Sequence, residues 1–212
     1  MRHTPHYILD DRDEVRRLVR ENPWATIVSN VAERGIVASH YPVLLDEAAS
    51  TGDEIVLVSH VGRPDEQLHR LGEGEVLVIV QGPHGYVSPS WYAPGDIVPT
   101  WNHVTAHLYG VPEILDDAEN FRILCELTDH FERAMGEEAR SLAIDEEYSR
   151  RVAQGTVGLR LRVTRVDARL KLSQNKSGEV VDRIIDQLEG DGPYAHAGLA
   201  REMRRVHDPR RS

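Results

Sequence analysis

The chain has 212 residues, of which 40% are hydrophobic and 28% charged, a composition typical of a soluble globular protein with one good core. No run approaches the roughly 20 apolar residues that a membrane-spanning helix needs, and the N-terminus is too charged for a signal peptide, so we expect no membrane segment and a cytoplasmic location. The formal net charge of −10 argues against a surface that binds nucleic acid by neutralising phosphates.

The first predicted element is a helix over residues 11–22, which Asp10 or Asp11 can cap and which Pro23 ends. Apolar, β-branched runs follow this helix and predict four strands. The predicted strands are residues 24–31, 35–47, 54–61 and 75–82.

The middle of the chain predicts a short helix, a hairpin and a longer helix. Residues 63–71 form the short helix, because Pro64 suits a first helical turn. Residues 86–92 and 98–115 hold two of the three tryptophans and predict a further pair of strands. Residues 116–135 have the i, i+3, i+4 spacing of an amphipathic helix. Its predicted apolar face is Phe121, Leu124, Leu127 and Phe131.

The last third predicts one long alternating strand over residues 156–173 and a helix over residues 178–189. Hairpin-length connections between most strands predict a mainly β, α+β fold: an antiparallel barrel of about six strands with peripheral helices. We assign residues 1–190 to this barrel domain and residues 191–212 to a C-terminal helical or flexible basic tail. For the basic cluster at its end, residues 201–212, a frayed, solvated terminus is the simpler interpretation.

Polar residues interrupt three of the predicted strands near their ends, so in a barrel they could converge on one rim. They are Ser29 and Asn30, then Ser39, His40 and Pro42, then Ser59, His60 and Arg63. Hydroxyls, backbone amides and an arginine at a helix start are the donors that a phosphate needs. Ordinary turn residues would give the same pattern, and no glycine-rich phosphate loop accompanies it.

A second polar group is the octapeptide LKLSQNKS, which contains both lysines of the chain, Lys171 and Lys176. It gathers an ammonium, a hydroxyl and two amides at a strand end, which suits an anionic or heterocyclic ligand. The alternative is a hydrogen-bonded loop in which Ser173, Asn175 or Ser177 caps the next helix.

Eleven histidines are scattered without the spacing of a zinc protease, a zinc deaminase or a cysteine-pair site, so we predict no metal site. His103 and His107 have a helical zinc spacing, but on the strand predicted there they would lie about 13 Å apart. A single axial haem ligand stays open as an alternative. Its candidates are His40, His60 and His107.

Three segments, GPHGYVSPSWY, VPTWNHVTAHLYG and LKLSQNKS, closely resemble the PaiB family of FMN-binding negative transcriptional regulators. The resemblance includes ASHYPVLLD and LVSHVGRPDEQ and extends to about Leu188. It implies a split β-barrel of the type found in pyridoxamine phosphate oxidases and flavin reductases, working as a homodimer with FMN between subunits. His103 stands where the family usually has tyrosine, and the acidic segment after His130 and the basic tail look variable.

The resemblance also implies a cofactor site, in which apolar walls hold the flavin ring and fixed donors hold the phosphate. Trp91, Tyr92 and Trp101 are expected to wall the ring or to pack in the subunit interface. The expected cofactor-binding residues are Ser39, His40, Pro42, Ser59, His60, Arg63, Gln67, Trp91, Trp101, Lys171, Ser173, Gln174 and Asn175.

Three functions stay open for such a barrel, because a fold does not determine an activity. The first is a flavin-responsive regulator, for which the acidic charge and the lack of a helix-turn-helix favour an indirect effect over DNA binding. The second is an FMN-dependent oxidoreductase on a small molecule, and the third is a haem-binding or haem-degrading protein.

Overall fold

The computed structural model describes residues 4–92, 95 and 97–208. The strands are β1 (Trp24–Val31), β2 (Gly35–Leu45), β3 (Val56–Gly62), β4 (Val76–Val87), β5 (Thr100–Gly110), β6 (Glu113–Ile114), β7 (Thr156–Arg162) and β8 (Arg165–Lys171). The α-helices are α1 (Arg12–Glu21), α2 (Arg63–His69), α3 (Asp117–Glu132), α4 (Glu146–Ala153), α5 (Gly178–Glu189) and α6 (Ala197–His207). Short 3₁₀ turns lie at Pro5–Tyr7, Pro89–Trp91, Arg133–Glu138 and Leu142–Asp145.

The described residues divide into two compact units. Unit 1 comprises Met1–Asp10, Gln81–Ala106 and Asp167–Ser212, and unit 2 comprises Asp11–Val80 and His107–Val166. None of the helices formed by the described residues combines the length and the apolar character that a bilayer crossing requires.

The strands form a sheet in the order β6-β7-β3-β2-β1-β4-β5-β8, and the ladders of unit 2 are antiparallel. The predicted antiparallel, mainly β architecture with peripheral helices is confirmed, and the described residues form eight strands instead of the predicted six or so. The prediction merged two strands over residues 156–173. Apolar residues occupy odd positions from Val157 to Val163 and even positions from Val166 to Leu172, and the ladder breaks at this shift, at Val163 and Thr164. There the backbone N–H groups donate to Ile55 and Tyr109 within unit 2.

Helix α1 in unit 2 follows its sequence signals closely. The Asp11 carboxylate accepts from the N–H groups of Asp13 and Glu14, as a helix-capping aspartate does. Val15, Leu18 and Val19 are buried. Burial of such an apolar stripe supplies most of the stability of a helix this short.

The apolar face of α3 in unit 2 differs from the predicted one. Ile123 and Leu127 pack into a core cluster with Leu44, Val58 and Leu115. Phe131, which the spacing placed on this face, is exposed. Spacing shows which residues share a helix face but not how much of that face is covered. Phe121, Ile123 and Leu127 are buried, whereas Phe131 near the end of α3 is not.

In unit 1, α5 and α6 pack on each other. Leu188, Leu199 and Met203 are fully buried between apolar side chains. Residues Ala197–His207 of the predicted tail form a helix, and residues 209–212 lie outside the described part. The division of the chain at residue 190 stays a prediction.

Candidate functional site

Unit 1 contains a groove of about 290 Å³. Its described lining residues are Tyr7, Tyr92, Val98, Pro99, Thr100, Asn102, Lys171, Ser173, Asn175 and Lys176. This lining combines cations, hydroxyls, amides and two phenol rings and includes no acidic side chain. Such a set of donors suits an anionic ligand.

Hydrogen bonds within the loop after β8 shape one side of this groove. Gln174 Oε1 accepts from the Leu172 N–H at 2.7 Å, and Gln174 Nε2 donates to the Leu170 carbonyl at 2.5 Å. The Tyr7 hydroxyl donates to Asn175 Oδ1 at 3.1 Å. Gln174 therefore folds the loop, while Tyr7 orients the Asn175 amide beside the groove.

Ser173 has a left-handed backbone with φ of 65°, which is unfavourable for a residue with a side chain. Its buried hydroxyl accepts from Asn102 Nδ2 at 2.9 Å and donates to Asn102 Oδ1 at 3.2 Å. These hydrogen bonds offset the backbone cost. They also mean that the Ser173 hydroxyl holds strand β5 instead of a ligand.

Lys171 and Lys176 bring both lysine ammonium groups of the chain to the groove. Lys171 donates to Thr100 Oγ1, and the Lys176 ammonium lies 4.3 Å from the Tyr92 ring centroid in a cation–π contact. Burial, followed by repulsion from Arg169, lowers the pKa of Lys171. A bound anion would favour the charged form and so offset both effects.

Further cations surround Lys171 in unit 1. The pKa of His103 is lowered, first by burial and then by the positive charges of Lys171, Arg169 and His84. The Arg169 guanidinium lies 5.9 Å from the Tyr7 ring centroid, and its buried Nε has no hydrogen-bond partner among the described residues. This part of unit 1 is therefore electropositive and carries an unsatisfied donor.

Four aromatic rings form a second feature of unit 1. The ring centroids of Tyr86 and Trp101 are 6.1 Å apart, and those of Tyr86 and Tyr194 are 5.0 Å apart. Trp91 contacts Tyr194 at 6.5 Å with its ring tilted by 66°. Trp101 and Tyr194 remain 56% and 50% exposed, so the cluster presents aromatic surface to solvent.

In unit 2, the half-buried Ser39 belongs to a hydrogen-bonded chain that continues through the buried His69 to the buried Ser29. His69 Nε2 pairs with Ser39 Oγ at 3.0 Å, and His69 Nδ1 pairs with Ser29 Oγ at 2.9 Å. Burial lowers the pKa of His69, and the charge of Asp65 partly opposes this effect. A neutral imidazole donates through one nitrogen and accepts through the other, so both serine hydroxyls are satisfied.

The start of α2 in unit 2 is already occupied by protein groups. The Gly62 N–H donates to the Tyr41 hydroxyl at 3.1 Å, and the Tyr41 hydroxyl donates to Asp65. Burial, together with the hydrogen bond to Asp65, raises the pKa of Tyr41. The Arg63 N–H donates to the Gly155 carbonyl at 3.0 Å.

The side chain of Arg63 is also engaged with protein groups. Its Nε donates to the Gln154 carbonyl at 2.5 Å, and its guanidinium lies 3.6 Å from the Asp117 carboxylate. Gln67, on the same helix, is exposed. The donors expected to hold a phosphate at this helix are therefore largely satisfied within unit 2.

Ser59 and His60 occupy different environments on strand β3. Ser59 is fully buried and donates to the Pro42 carbonyl at 2.6 Å. The His60 ring lies edge-on to Tyr41 at 6.1 Å, and its buried Nδ1 has no hydrogen-bond partner among the described residues. Burial lowers the pKa of His60.

One face of the β1-β2-β4 sheet in unit 2, here called the outer face, is left largely uncovered by the described residues of that unit. Trp24 is 65% exposed and stacks on His40, with ring centroids 6.5 Å apart and planes 16° from parallel. Ile36 on the same face is 78% exposed. The other members of the outer face are Thr26, Val28, Asn30, Ala38, Pro42, Leu77 and Ile79. A mostly apolar sheet face of this kind indicates a contact with another molecule.

The structure distributes the predicted site residues between the two units. Unit 1 holds Trp91, Trp101, Lys171, Ser173, Gln174 and Asn175. Unit 2 holds Ser39, His40, Pro42, Ser59, His60, Arg63 and Gln67. Lys171, Ser173 and Asn175 meet in the groove, and Trp91 and Trp101 meet in the aromatic cluster. In unit 2 the side chains of Ser39, Ser59 and Arg63 bond to protein groups.

Sequence reasoning missed several residues of these features. The sequence could have indicated Lys176 as a groove residue, since it shares an octapeptide with Lys171. It could also have indicated Trp24 as a surface contact residue, since Trp24 begins a strand that is apolar on both faces. Tyr7 had none, because it reaches the groove only when the N-terminal segment bridges to β8 at Arg169. Among the described residues no group of three potential ligands could hold a metal ion.

A family model described as "Putative FMN-binding domain" matches residues 1–165. The chain belongs to this family. The resemblance to the PaiB family is confirmed, and so is FMN as the expected cofactor at the level of the family.

Two curated relatives show how far the similarity extends. The Bacillus subtilis (strain 168) protein "Protease synthase and sporulation protein PAI 2" is 28% identical over 188 residues, which cover 88% of each chain. An uncharacterized Saccharomyces cerevisiae protein is 34% identical over 151 residues, which cover 59% of this chain and 88% of the relative.

Solved structures confirm the split-barrel fold. The FAD and haem binding protein from Mycobacterium smegmatis superposes with a TM-score of 0.57 and 20% identity, covering 82% of this chain and 78% of its own. The flavocytochrome Anf3 from Azotobacter vinelandii gives a TM-score of 0.59 at 13% identity, covering 81% of this chain and 72% of its own. At these identities the likeness concerns the fold alone.

Proposed function

We propose that this FMN-family chain works as an FMN-binding homodimer of the PaiB type and as a negative transcriptional regulator. The observation that carries the proposal is the groove of unit 1, where both lysines of the chain meet hydroxyls and amides and none of the described lining residues carries a carboxylate. Such a donor set is what a phosphorylated cofactor requires.

The donors of the groove fit the phosphorylated end of FMN. Lys171, Lys176 and Thr100 would hold the phosphate, and the Asn175 amide would hold the polyol or the pyrimidine edge. The start of α2 fits a phosphate less well, because its first N–H groups are occupied and Asp65 and Glu66 lie in its first turn. Two carboxylates there would oppose a dianion.

The residues of the groove prepare it for the cofactor. Asn102 and Gln174 hold the loop in place before FMN arrives, so little ordering is needed on binding. Lys171 supplies a positive charge. Burial lowers the pKa of its ammonium group, and an anion bound beside it would raise that pKa again. FMN, when bound, supplies reversible one- and two-electron chemistry.

The outer face of unit 2 supports the homodimer. Trp24, His40 and Ile36 form an exposed, mostly apolar surface on a regular antiparallel ladder. A second copy can cover such a face with the same face of its own, as two-fold symmetry requires. Removal of this surface from water would stabilise the pair.

A regulatory role fits the charge distribution and the relatives. The net charge of −10 falls wholly on unit 2, because unit 1 has as many basic as acidic residues. An acidic unit suits contacts with basic protein partners better than contacts with DNA. The Bacillus relative is named for protease synthesis and sporulation, processes that cells control through gene expression. We therefore propose an indirect effect on transcription that depends on FMN occupancy.

The first experiment identifies the cofactor from the visible spectrum and the mass of the small molecule that co-purifies. Flavin absorbance and the mass of FMN are expected, at one FMN per chain. An intense haem band, or no FMN binding by the apoprotein in a titration, would contradict the cofactor assignment. Bleaching of the bound flavin by NADH or NADPH would favour the oxidoreductase alternative.

The second experiment tests regulation in the source organism. Deletion of the gene is expected to raise the levels of a set of transcripts. Reintroduction of the wild-type gene is expected to lower these levels again, whereas a gene that encodes the Lys171→Met variant is not. Unchanged transcripts after deletion would refute the regulatory role. A mobility shift on promoter DNA at low salt would replace the indirect effect with direct binding.

A further inference from the structure

Lysine occurs in this chain only at the groove of unit 1. Lysine and arginine together number 25, and Lys171 and Lys176 are the only lysines among them. Both lysines line the groove, whereas the remaining members of this set are arginines. Arginine stays protonated and binds phosphates well, so the need for a positive charge does not by itself explain lysine at this place. A lysine amine can also lose its proton and act as a nucleophile.

The surroundings of Lys171 favour the nucleophilic, neutral amine. Lys171 is half-buried, and its amino group donates to the uncharged hydroxyl of Thr100. None of the described residues that line the groove has a carboxylate to stabilise the ammonium form. Burial, followed by repulsion from Arg169, lowers the pKa of Lys171. The neutral amine is therefore more accessible here than at a fully solvated position.

Lys176 provides a second cation in the same groove. Its ammonium group lies 4.3 Å from the Tyr92 ring centroid, and this cation–π contact stabilises the charged form. Asn175 Oδ1 accepts from the Tyr7 hydroxyl, so the amide NH₂ of Asn175 can donate to a phosphate oxygen. One lysine can thus bind a phosphate while the other meets a second group of the same molecule.

We propose that Lys171 captures a small phosphorylated aldehyde in this groove as a reversible imine. Lys176 and Asn175 bind the phosphate, and the amine of Lys171 adds its lone pair to the carbonyl carbon. The carbonyl oxygen leaves as water with the two protons of the neutral amine, and a C=N bond replaces the C=O bond. No oxidant or reductant takes part. A groove of about 290 Å³ suits a ligand with a few carbon atoms and one phosphate.

This activity goes beyond FMN binding and does not depend on it. The proposed FMN phosphate site uses the same two lysines. The two ligands therefore exclude each other from the groove, and FMN is expected to slow the capture of the aldehyde.

The test uses glyceraldehyde 3-phosphate as the probe and glyceraldehyde, which lacks the phosphate, as its control. Sodium borohydride reduces any imine to a stable secondary amine, and mass spectrometry of the peptides locates it. At equal, subsaturating concentrations the phosphorylated probe is expected to modify Lys171 about tenfold more than glyceraldehyde does, because a charge-assisted contact is added. Lys176→Met is expected to remove most of this difference.

Arg140→Lys supplies a reference amine in the same molecule, because Arg140 is exposed and lies in unit 2. The phosphorylated probe is expected to modify Lys171 about tenfold more than the lysine introduced at position 140. Lys171→Arg keeps the positive charge and is expected to remove the adduct from the groove without moving it to Lys176.

Equal modification of Lys171 and the introduced lysine would overturn the inference, and so would a preference for Lys171 that the phosphate does not increase. Either result in protein that binds FMN would leave the proposed function intact. Selective capture at Lys171 by protein that binds no FMN would support the inference and refute the proposed function. Selective capture that bound FMN does not slow would place the FMN phosphate outside the groove.

Discussion

Asn102 and Ser173 bind each other through two hydrogen bonds across a chain separation of 71 residues. Both side chains are buried, and Ser173 has a left-handed backbone that a serine seldom adopts. The pair fixes the loop that follows Lys171 and contains Asn175, and both residues line the groove. A polar pair in a core is thus the structural basis of the candidate cofactor site.

Replacement of Asn102 by alanine is expected to lower the free energy of unfolding by about 1–3 kcal/mol, because a buried hydroxyl loses its partner. Urea unfolding followed by circular dichroism measures this change. Gln187→Ala is the control, since Gln187 on α5 is exposed, and should change stability little. Equal stability of the Asn102 and Gln187 variants would show that the pair contributes nothing to the fold.

Lys171→Met is expected to weaken FMN binding by about tenfold or more, because a charge-assisted hydrogen bond to a phosphate is lost. Arg63→Met should weaken it far less, since its guanidinium already bonds Gln154 and lies near Asp117. Isothermal titration of the apoproteins measures both. A larger effect from Arg63 would move the phosphate site from the groove to the start of α2.

Trp24→Asp and Ile36→Asp are expected to convert the proposed dimer to a monomer, because each places a charge in an apolar contact. Light scattering during size-exclusion chromatography measures the mass. Ile144→Asp is a suitable control, since Ile144 is also exposed but lies outside the outer face. A dimer that persists in both outer-face variants would exclude this surface as the subunit interface.

Acid is expected to destabilise the chain through His60. Burial lowers the pKa of this imidazole, so between the lowered value and the ordinary value of about 6.5 the unfolded chain holds more protons than the folded chain. The free energy of unfolding should therefore fall as the pH drops through that interval and level off below it. Burial lowers the pKa of His69 in the same direction.

Urea unfolding at a series of pH values measures this loss. His60→Asn should make stability less dependent on pH below about 6.5, whereas His6→Asn, at an exposed position, should keep the wild-type profile. An unchanged profile in the His60 variant would assign the acid sensitivity to other groups.

Local signals in the sequence predicted most of the elements. Asp11 before an amphipathic run, Pro64 in a first helical turn and alternating β-branched residues each act within a few residues, so they indicate helices and strands directly. The same signals did not separate the two strands within residues 156–173, although the alternation changes phase at Thr164 and Arg165, because each half alternates regularly and no glycine or proline lies between Val163 and Val166. They also misjudged Phe131, whose burial depends on what lies beneath the helix.

By itself the sequence determined the antiparallel barrel class, the family and the place of the two lysines. Short hydrophobic patterns indicate the fold class, and longer motifs indicate the family. Only the tertiary structure decided which polar groups remain available to a ligand, because hydrogen-bond partners such as Asn102 for Ser173 or Pro42 for Ser59 are distant in the chain. It likewise brought Tyr7 and Tyr194 to unit 1, since contacts between remote segments form only when the chain packs its core.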